Sequence, residues 1–555
     1  MKLLALLILL LHVGSYCAFA QESDYNPQNH TLHWVELTDK NNTPYSIYKP
    51  QEFLSARALK RREVQGIVIN EQDLPVDPSY VKQIKDLGVG IHATSKWLNA
   101  VAIHTMDKDI LPKIAQLPFV KSMQPLGKYR SVSKPKLKQT RPKVNKSKHQ
   151  ADYYGLANNQ IKMLGGDVLH NYGYTGKGVH VAVFDGGFLN VYRMPVFDSM
   201  YHHNRLLGTH DFVEGDDMVY ESSSHGTNVL SCMGAKTPHL MVGTAPDASF
   251  YLFKTEDVKG EFRTEEFNWV AALEHADSLG VDVVNSSLGY TGFNDTTMSY
   301  KYHQLDGRTA MCSRGAEIGA SKGIIIVNSA GNEGNDPWHY IGTPADSRGV
   351  LSVAAVAPNG KRTNFSSWGP TPDGRIKPDV AAQGGFTVVS SMTQYDVTRT
   401  HGTSFSSPVM AGMVASLKQA FPEKTSEEIK EAIKLSGHIA TAPDTSLGHG
   451  IPNFFFAYMS MLDASIIVDY QNNVYYSSSI IDDELHLFVE QKAPASIKLT
   501  LYNKLFQEQY HYEGETPGKE IKEVVIPNLK DYPFGNYIVR LEINGYPYWL
   551  NIIKK

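Results

Sequence analysis

Between residues 151 and 460 the chain repeats one pattern: a short, almost wholly apolar run, a turn, then a helical stretch. The runs occupy 179–184, 249–254, 281–285, 323–328 and 350–356, and helical periodicity falls between several of them, as at 267–279. A strand that is apolar on nearly every residue has both faces buried, and helices on both sides of a parallel sheet bury both. The pattern therefore predicts an α/β, doubly wound, mostly parallel sheet. It also places ligand chemistry at the carboxyl ends of the strands. An apolar content of 42% is enough for such a core, and 555 residues is long enough for two to four domains.

The flanks have other textures. Residues 21–127 mix a basic helical stretch at 53–62, a helix at 80–87 stopped by Gly88, an alternating strand at 98–104, a helix at 109–116 and a strand at 120–124. That order predicts a small α+β unit. Residues 128–150 hold nine lysines and arginines and no Asp or Glu. Such a run cannot bury a core, and its place between two folded units marks a solvated linker rather than a nucleic-acid arm. The net charge of −4 also gives no electrostatic ground for nucleic acid as a partner. From 461 to 555 apolar and polar residues alternate, as in Ile497, Leu499 and Leu501, with turn signals such as Asn544-Gly545. This predicts a C-terminal antiparallel β-sandwich with no chemistry of its own.

Residues 1–20 have the layout of a secretory signal peptide: Lys2, an apolar run at 3–11, and Ala18-Phe19-Ala20 as the cleavage site. The expected location is therefore outside the cytoplasm, secreted or at the cell surface. No later stretch is long and apolar enough to span a bilayer. Of the three cysteines, Cys17 leaves with the signal, and Cys232 and Cys312 read as buried free thiols.

Four polar segments stand at the rims of the predicted sheet. Asp185 ends the first strand before Gly186-Gly187. His225 opens an otherwise apolar helix in Ser224-His225-Gly226-Thr227. Asn332 lies in Ser329-Ala330-Gly331-Asn332 after another buried strand. Ser404 follows Gly402-Thr403 at the start of a small-residue helix. Singly each is better read as a turn former or a helix cap. Together, an acid, a histidine and a serine at sheet rims form a set suited to nucleophilic catalysis.

With these motifs in this chain order, the region from about 159 to 454 resembles the catalytic domain of the subtilisin-like serine proteases, the subtilases. The resemblance implies that Ser404 attacks a peptide carbonyl, His225 shuttles the proton, Asp185 orients the imidazole, and Asn332 with the Ser404 N–H binds the oxyanion. It implies that Ser287, Leu288 and Gly289 bind extended peptide along one wall of the specificity pocket. Ser329 to Gly331 form the other wall, and Gly342 lies at the base. Residues 21–127 are then expected to be an inhibitory, folding-assisting pro-domain, and 128–150 to contain the processing region. The C-terminal unit looks like the sorting domain of Bacteroidetes type IX secretion, which would make secretion machinery a partner. The expected function is a secreted endopeptidase made as a zymogen, acting on proteins or peptides. The alternative is a self-processing protease scaffold that acts mainly as a surface or binding protein.

The sequence departs from the family pattern in several places. Gly186 stands where Ser or Thr is common, so one hydrogen bond to Asp185 is expected to be lost. Phe405 replaces a frequent Met, and His401 a frequent Asn. Tyr290, after Gly289, is expected to narrow the cleft. The segment 234–243 lacks the Asn-rich calcium loop of the bacterial enzymes, so no metal and no cofactor are placed. Calcium elsewhere stays open at Asp295, Asp306 and Asp216-Asp217, which read rather as solvated loop acids.

Overall fold

A computed structural model describes residues 31–128, 152–392, 396–461 and 465–554, with short gaps in the last stretch at 470–473, 482–483, 492, 504, 506, 519–520 and 534. Residues 1–30, with the expected signal segment 1–20, and the basic linker beyond Lys128 lie outside the described residues. Among the described residues no helix is long and apolar enough to cross a membrane.

The N-terminal unit contains β1 (Thr31–Leu37), α1 (Ala56–Val64), α2 (Pro78–Asp86), β2 (Gly90–Ser95), β3 (Ala100–Thr105), α3 (Leu111–Ala115) and β4 (Val120–Lys128). Its antiparallel sheet has the order β2-β3-β1-β4. One face packs on α2 and α3 through Val35, Ile84, Ile103 and Ile114. The other, with Leu32, Trp34, Ala100 and Ala102, shares a core with the central domain.

The central domain begins with α4 (Asn158–Lys162), α5 (Gly166–Asn171), β5 (His180–Asp185), α6 (Asp198–His202) and β6 (Leu206–Asp211). It continues with α7 (His225–Gly234), a small ribbon of β7 (Lys236–Thr237) and β8 (Met241–Val242), β9 (Ser249–Lys254) and α8 (Arg263–Leu279). Then come β10 (Val283–Ser286), α9 (Met311–Ser321), β11 (Ile325–Ser329), β12 (Val350–Val356), β13 (Val380–Gln383) and a hairpin of β14 (Thr387–Ser390) and β15 (Val397–Thr400). The long α10 (Thr403–Ala420), α11 (Ser426–Leu435) and α12 (Phe454–Met461) close the domain. Seven parallel strands line up as β13-β12-β11-β10-β5-β9-β6. The period-two geometry of β5 splits its apolar run. Val181 and Val183 enter the core under α7 and α10, while Ala182 and Phe184 enter the core under α8 and α9. That is the doubly wound architecture the apolar runs predict.

The C-terminal unit has two four-stranded sheets. One joins β16 (Ser465–Asp469), β17 (Val474–Ile481), β18 (Glu484–Glu490) and β21 (Ile521–Ile526). The other orders β20 (Glu508–Thr516), β19 (Ala495–Asn503), β22 (Gly535–Ile543) and β23 (Tyr546–Lys554). Leu485 and Leu487 of one sheet and Ile497, Leu499 and Leu541 of the other share a core. Cys232 and Cys312 are free and buried.

Candidate active site

Asp185 is the last residue of β5, at the carboxyl end of the sheet, and is buried. Its Oδ1 accepts the Gly186 N–H at 2.8 Å, and its Oδ2 lies 2.8 Å from His225 Nδ1. The backbone N–H of Gly186 holds Oδ1, and glycine adds no side-chain donor to it. A Cβ at 186 would come within 2.8 Å of Val258 Cγ1, so glycine leaves room for the 256–258 segment beside the aspartate.

His225 is the first residue of α7, and its backbone N–H donates to Ser223 Oγ at 3.1 Å. Gly226 sets how close the helix comes to β5. A Cβ there would meet Gly187 O at 2.5 Å and Asp185 Cβ at 2.8 Å. Burial opposes the charged imidazole, but the Asp185 carboxylate and its hydrogen bond outweigh burial and hold the His225 pKa above its ordinary value. In the neutral ring the proton belongs on Nδ1, facing the carboxylate, which leaves the Nε2 lone pair free.

Ser404 sits in the first turn of α10, after Gly402 at φ +146°. Among the described residues its N–H has no acceptor, and it points from the positive end of an 18-residue helix. Pro408, inside the helix, has no N–H to give to the carbonyl four residues back. Ser287 Oγ supplies the missing donor, reaching the Ser404 carbonyl at 2.8 Å. The Ser404 hydroxyl turns toward Ser287 O at 3.4 Å, and no hydrogen bond joins it to His225. Such bonds commonly tighten only when substrate is bound. The His225 ring packs on Phe405, the residue after the serine, at 5.6 Å between centroids.

Asn332 is oriented by Thr403, whose N–H and hydroxyl donate to its Oδ1 at 2.8 and 3.0 Å. With the oxygen pinned, the Asn332 Nδ2 donors face the other way. The segments predicted as pocket walls follow β10 and end β11. Asn328 joins them, its Nδ2 donating to Leu288 O at 2.9 Å and to Ser329 O at 2.8 Å. Ser287 and Ser329 are buried and Leu288 is half-buried. Gly289 is exposed, with neither backbone group bonded among the described residues. Gly342 donates its N–H to Ala330 O at 3.2 Å, and a methyl on it would touch Thr291 and Gly289. Sequence reading gives no role to Thr403, Asn328 or Pro408. Their part is visible only once helix and strands meet.

One expectation is corrected. Tyr290 does not narrow the cleft: it is 1% exposed, its hydroxyl donates to Glu256 Oε1 at 2.6 Å, and its backbone pairs with Thr343. The ring belongs to the layer beneath. The acids Asp295, Asp306 and Asp216, read from the sequence as solvated loop acids, cap their own turns, accepting from the N–H groups of Thr297, Arg308 and Met218. Among the described residues, Glu256, Glu261 and Glu265 bring carboxyl oxygens within 4.8 Å of one another. Burial pushes Glu256 and Glu265 above the carboxylate range, and both already accept hydrogen bonds from protein donors. No metal is assigned there. His401 is engaged elsewhere than at the serine: its Nδ1 accepts the Phe386 N–H at 3.3 Å and its ring meets Phe386 at 4.4 Å.

The fold and site define an α/β protein with an acid–histidine pair beside a helix-borne serine. Residues 176–457 match the model of the subtilase family (peptidase S8), and residues 32–145 match a peptidase S8 propeptide domain of Bacteroidota. The chain belongs to the subtilase family. It is 27% identical over 283 residues to a thermostable alkaline protease of Halalkalibacterium halodurans, a match covering 51% of this chain and 68% of that protein. It is 30% identical over 285 residues to subtilisin E of Bacillus subtilis, covering 51% of this chain and 65% of that one.

Proposed function

We propose that this protein is a secreted serine endopeptidase, made as a zymogen, that cleaves protein or peptide substrates through an acyl-enzyme. The observation that carries the reading is the 2.8 Å contact of Asp185 with His225 at the sheet rim, beside Ser404 at the start of α10. His225 Nε2 takes the proton of Ser404 as its Oγ attacks the carbonyl, then returns it to the leaving amine. Asp185 fixes the tautomer and stabilises the imidazolium. The Ser404 N–H and the amide of Asn332, already turned by Thr403, receive the oxyanion. Gly289 offers an unpaired backbone edge to an extended peptide, between the walls at 287–289 and 329–331.

The N-terminal unit serves as pro-domain, and the basic linker contains the processing bond. The signal layout of residues 1–20 supports export, and the C-terminal sandwich is assigned to sorting at the cell envelope. The test is labelling by a serine-directed fluorophosphonate beside a Ser404→Ala control. Labelling of the processed wild type alone is expected. Equal labelling of both, or of neither, overturns the reading.

A further inference from the structure

The sheet of the N-terminal unit and its helices α2 and α3 close on themselves without the segment between Leu37 and Pro78. Of that segment only Val76 enters the unit's own core. The helix α1 within it turns its buried residues, Ala58, Arg61 and Arg62, toward the central domain instead. Ser55 caps α1, its Oγ accepting the Ala58 N–H, while its own N–H donates to Ser278 O at 2.9 Å.

The contacts are charged and buried. Arg61 Nη2 meets Asp277 Oδ1 at 2.5 Å, and Arg62 Nη2 meets Asp277 Oδ2 at 2.8 Å and Asp73 Oδ1 at 3.0 Å. Lys322 reaches Asp73 at 3.1 Å from the other side. Lys96 reaches Asp277 at 3.3 Å, and Glu274 accepts from Ser95 Oγ and the Lys96 N–H. On the rim, Arg57 pairs with Asp282 and donates to the Gly280 and Gly178 carbonyls. Gly280 is the left-handed cap of α8, and a Cβ there would meet Ala58 N at 2.6 Å, so glycine admits α1. Gln65 spans Gly323 O and the Ser426 N–H, both at 2.9 Å.

This site is far from the catalytic groups. Helix α8 starts beside the carboxyl end of β9 and runs back to the start of β10, so Asp277 lies at the opposite end of the sheet from Asp185. Seventeen residues at ~1.5 Å each put about 25 Å between the ends of α8. At the near end the N-terminal unit makes a second attachment. His92 contacts Asn268 at 2.8 Å, Thr264 donates to Leu126 O at 3.3 Å, and Gly127 packs on Phe262.

We propose that the 38–77 segment is a latch on an exosite of the catalytic domain, at the end of the sheet opposite the cleft. The exosite, centred on Asp277 with Asp282 and Glu274, takes a helix bearing consecutive arginines. It holds the pro-domain independently of the cleft, so cutting the linker does not by itself free the enzyme. This deepens the pro-domain reading above and rests on it. It does not rest on the nucleophile.

The test uses the full chain carrying Ser404→Ala, with a recognition sequence for a site-specific protease replacing residues 134–140. After the cut, release of the pro-domain is followed by size-exclusion chromatography and by its first-order rate on dilution. Slow release is expected for the parent. The Arg61→Met/Arg62→Met variant should release roughly 10²–10³-fold faster, since losing one side of a buried ion pair is strongly destabilising. Release at the parent's rate overturns the latch. If that variant does not fold, Arg57→Ala at the rim decides, with about tenfold faster release expected for a lost charged hydrogen bond. Release within twofold of the parent overturns the proposal. The substituted zymogen has no nucleophile, so failure here leaves the peptidase reading standing, and failure of Ser404-dependent labelling leaves the latch standing.

Discussion

Replacing Asp185 by Asn tests the site more sharply than removing the serine does. In the wild type both carboxylate oxygens accept: Oδ1 from the Gly186 N–H and Oδ2 from His225 Nδ1, each at 2.8 Å. An amide has only one oxygen. The Gly186 N–H is fixed backbone and can only donate, so it claims that oxygen and leaves the amide NH₂ facing His225. Nδ1 must then accept, and the ring proton moves to Nε2, where the serine proton needs a lone pair. The wrong tautomer in a serine triad of this kind lowers kcat ~10⁴-fold, which is about 5 kcal/mol of barrier at 1.36 kcal/mol per decade. The charge that raises the His225 pKa is lost as well. The assay is steady-state hydrolysis of a chromogenic peptide by the mature domain, per mole of folded protein, with thermal unfolding as the check on the fold. A kcat loss near 10⁴ with KM little changed is expected. A loss under tenfold would refute the role of the Asp185–His225 pair, and with it the reading of Ser404 as nucleophile.

Catalysis needs neutral His225, whose pKa is raised, so kcat/KM should fall as pH drops, with a midpoint above the ordinary histidine value; a pH–rate profile with its acid limb below 6.5 contradicts this. Asn332→Ala removes an oriented donor and should lower kcat roughly 10²–10³-fold, a magnitude known from subtilisin itself, with peptide KM nearly constant. Gly226→Ala pushes α7 off β5, where a Cβ would meet Gly187 O at 2.5 Å, and should cost about 10²-fold in kcat by displacing the imidazole. Unchanged turnover in that variant would show that the helix can shift without moving His225. Asp277 and Asp73 are opposed by burial, but facing cations hold both below the usual carboxylate range. Their contribution to pro-domain docking is therefore present above the unfolded carboxylate pKa and lost as pH falls through the folded one, so release of the cleaved pro-domain should accelerate once pH falls through the folded pKa of the two aspartates; Glu274, raised by burial, and Lys322, lowered by burial, act in the opposite sense at higher pH.

The sheet was legible because each strand carries its burial in its own residues. Residues 181–184 read as doubly buried and are so on both faces. The places of Asp185 at a strand end and of His225 and Ser404 at helix starts were legible because that local context survives in linear order. The direction a side chain takes is another matter. Tyr290 follows an exposed glycine, and its inward turn comes from residues distant in the chain, Glu256, 34 residues earlier, and Thr343, whose backbone pairs with it. The stretch 53–62 reads from sequence as a basic helix and nothing more. Its partners Asp277 and Asp282 lie more than 200 residues away, and no periodicity encodes a pairing at that range. The same holds for Ser287, whose hydroxyl matters because Pro408 leaves a carbonyl unbonded on a distant helix.

Because the N-terminal unit grips α8 at both ends, that helix acts as a gauge. Each residue added or removed between Asn268 and Glu274 would shift one end by ~1.5 Å and rotate it by about 100° relative to the other. His92 and Asn268 would stay in register while Asp277 turned away from Arg61 and Arg62, or the reverse. The pro-domain can therefore close over only one length of α8. A chain whose helix forms one residue out of phase offers it a single grip, so closure by the pro-domain also proofreads the phase of the helix on which the sheet is built.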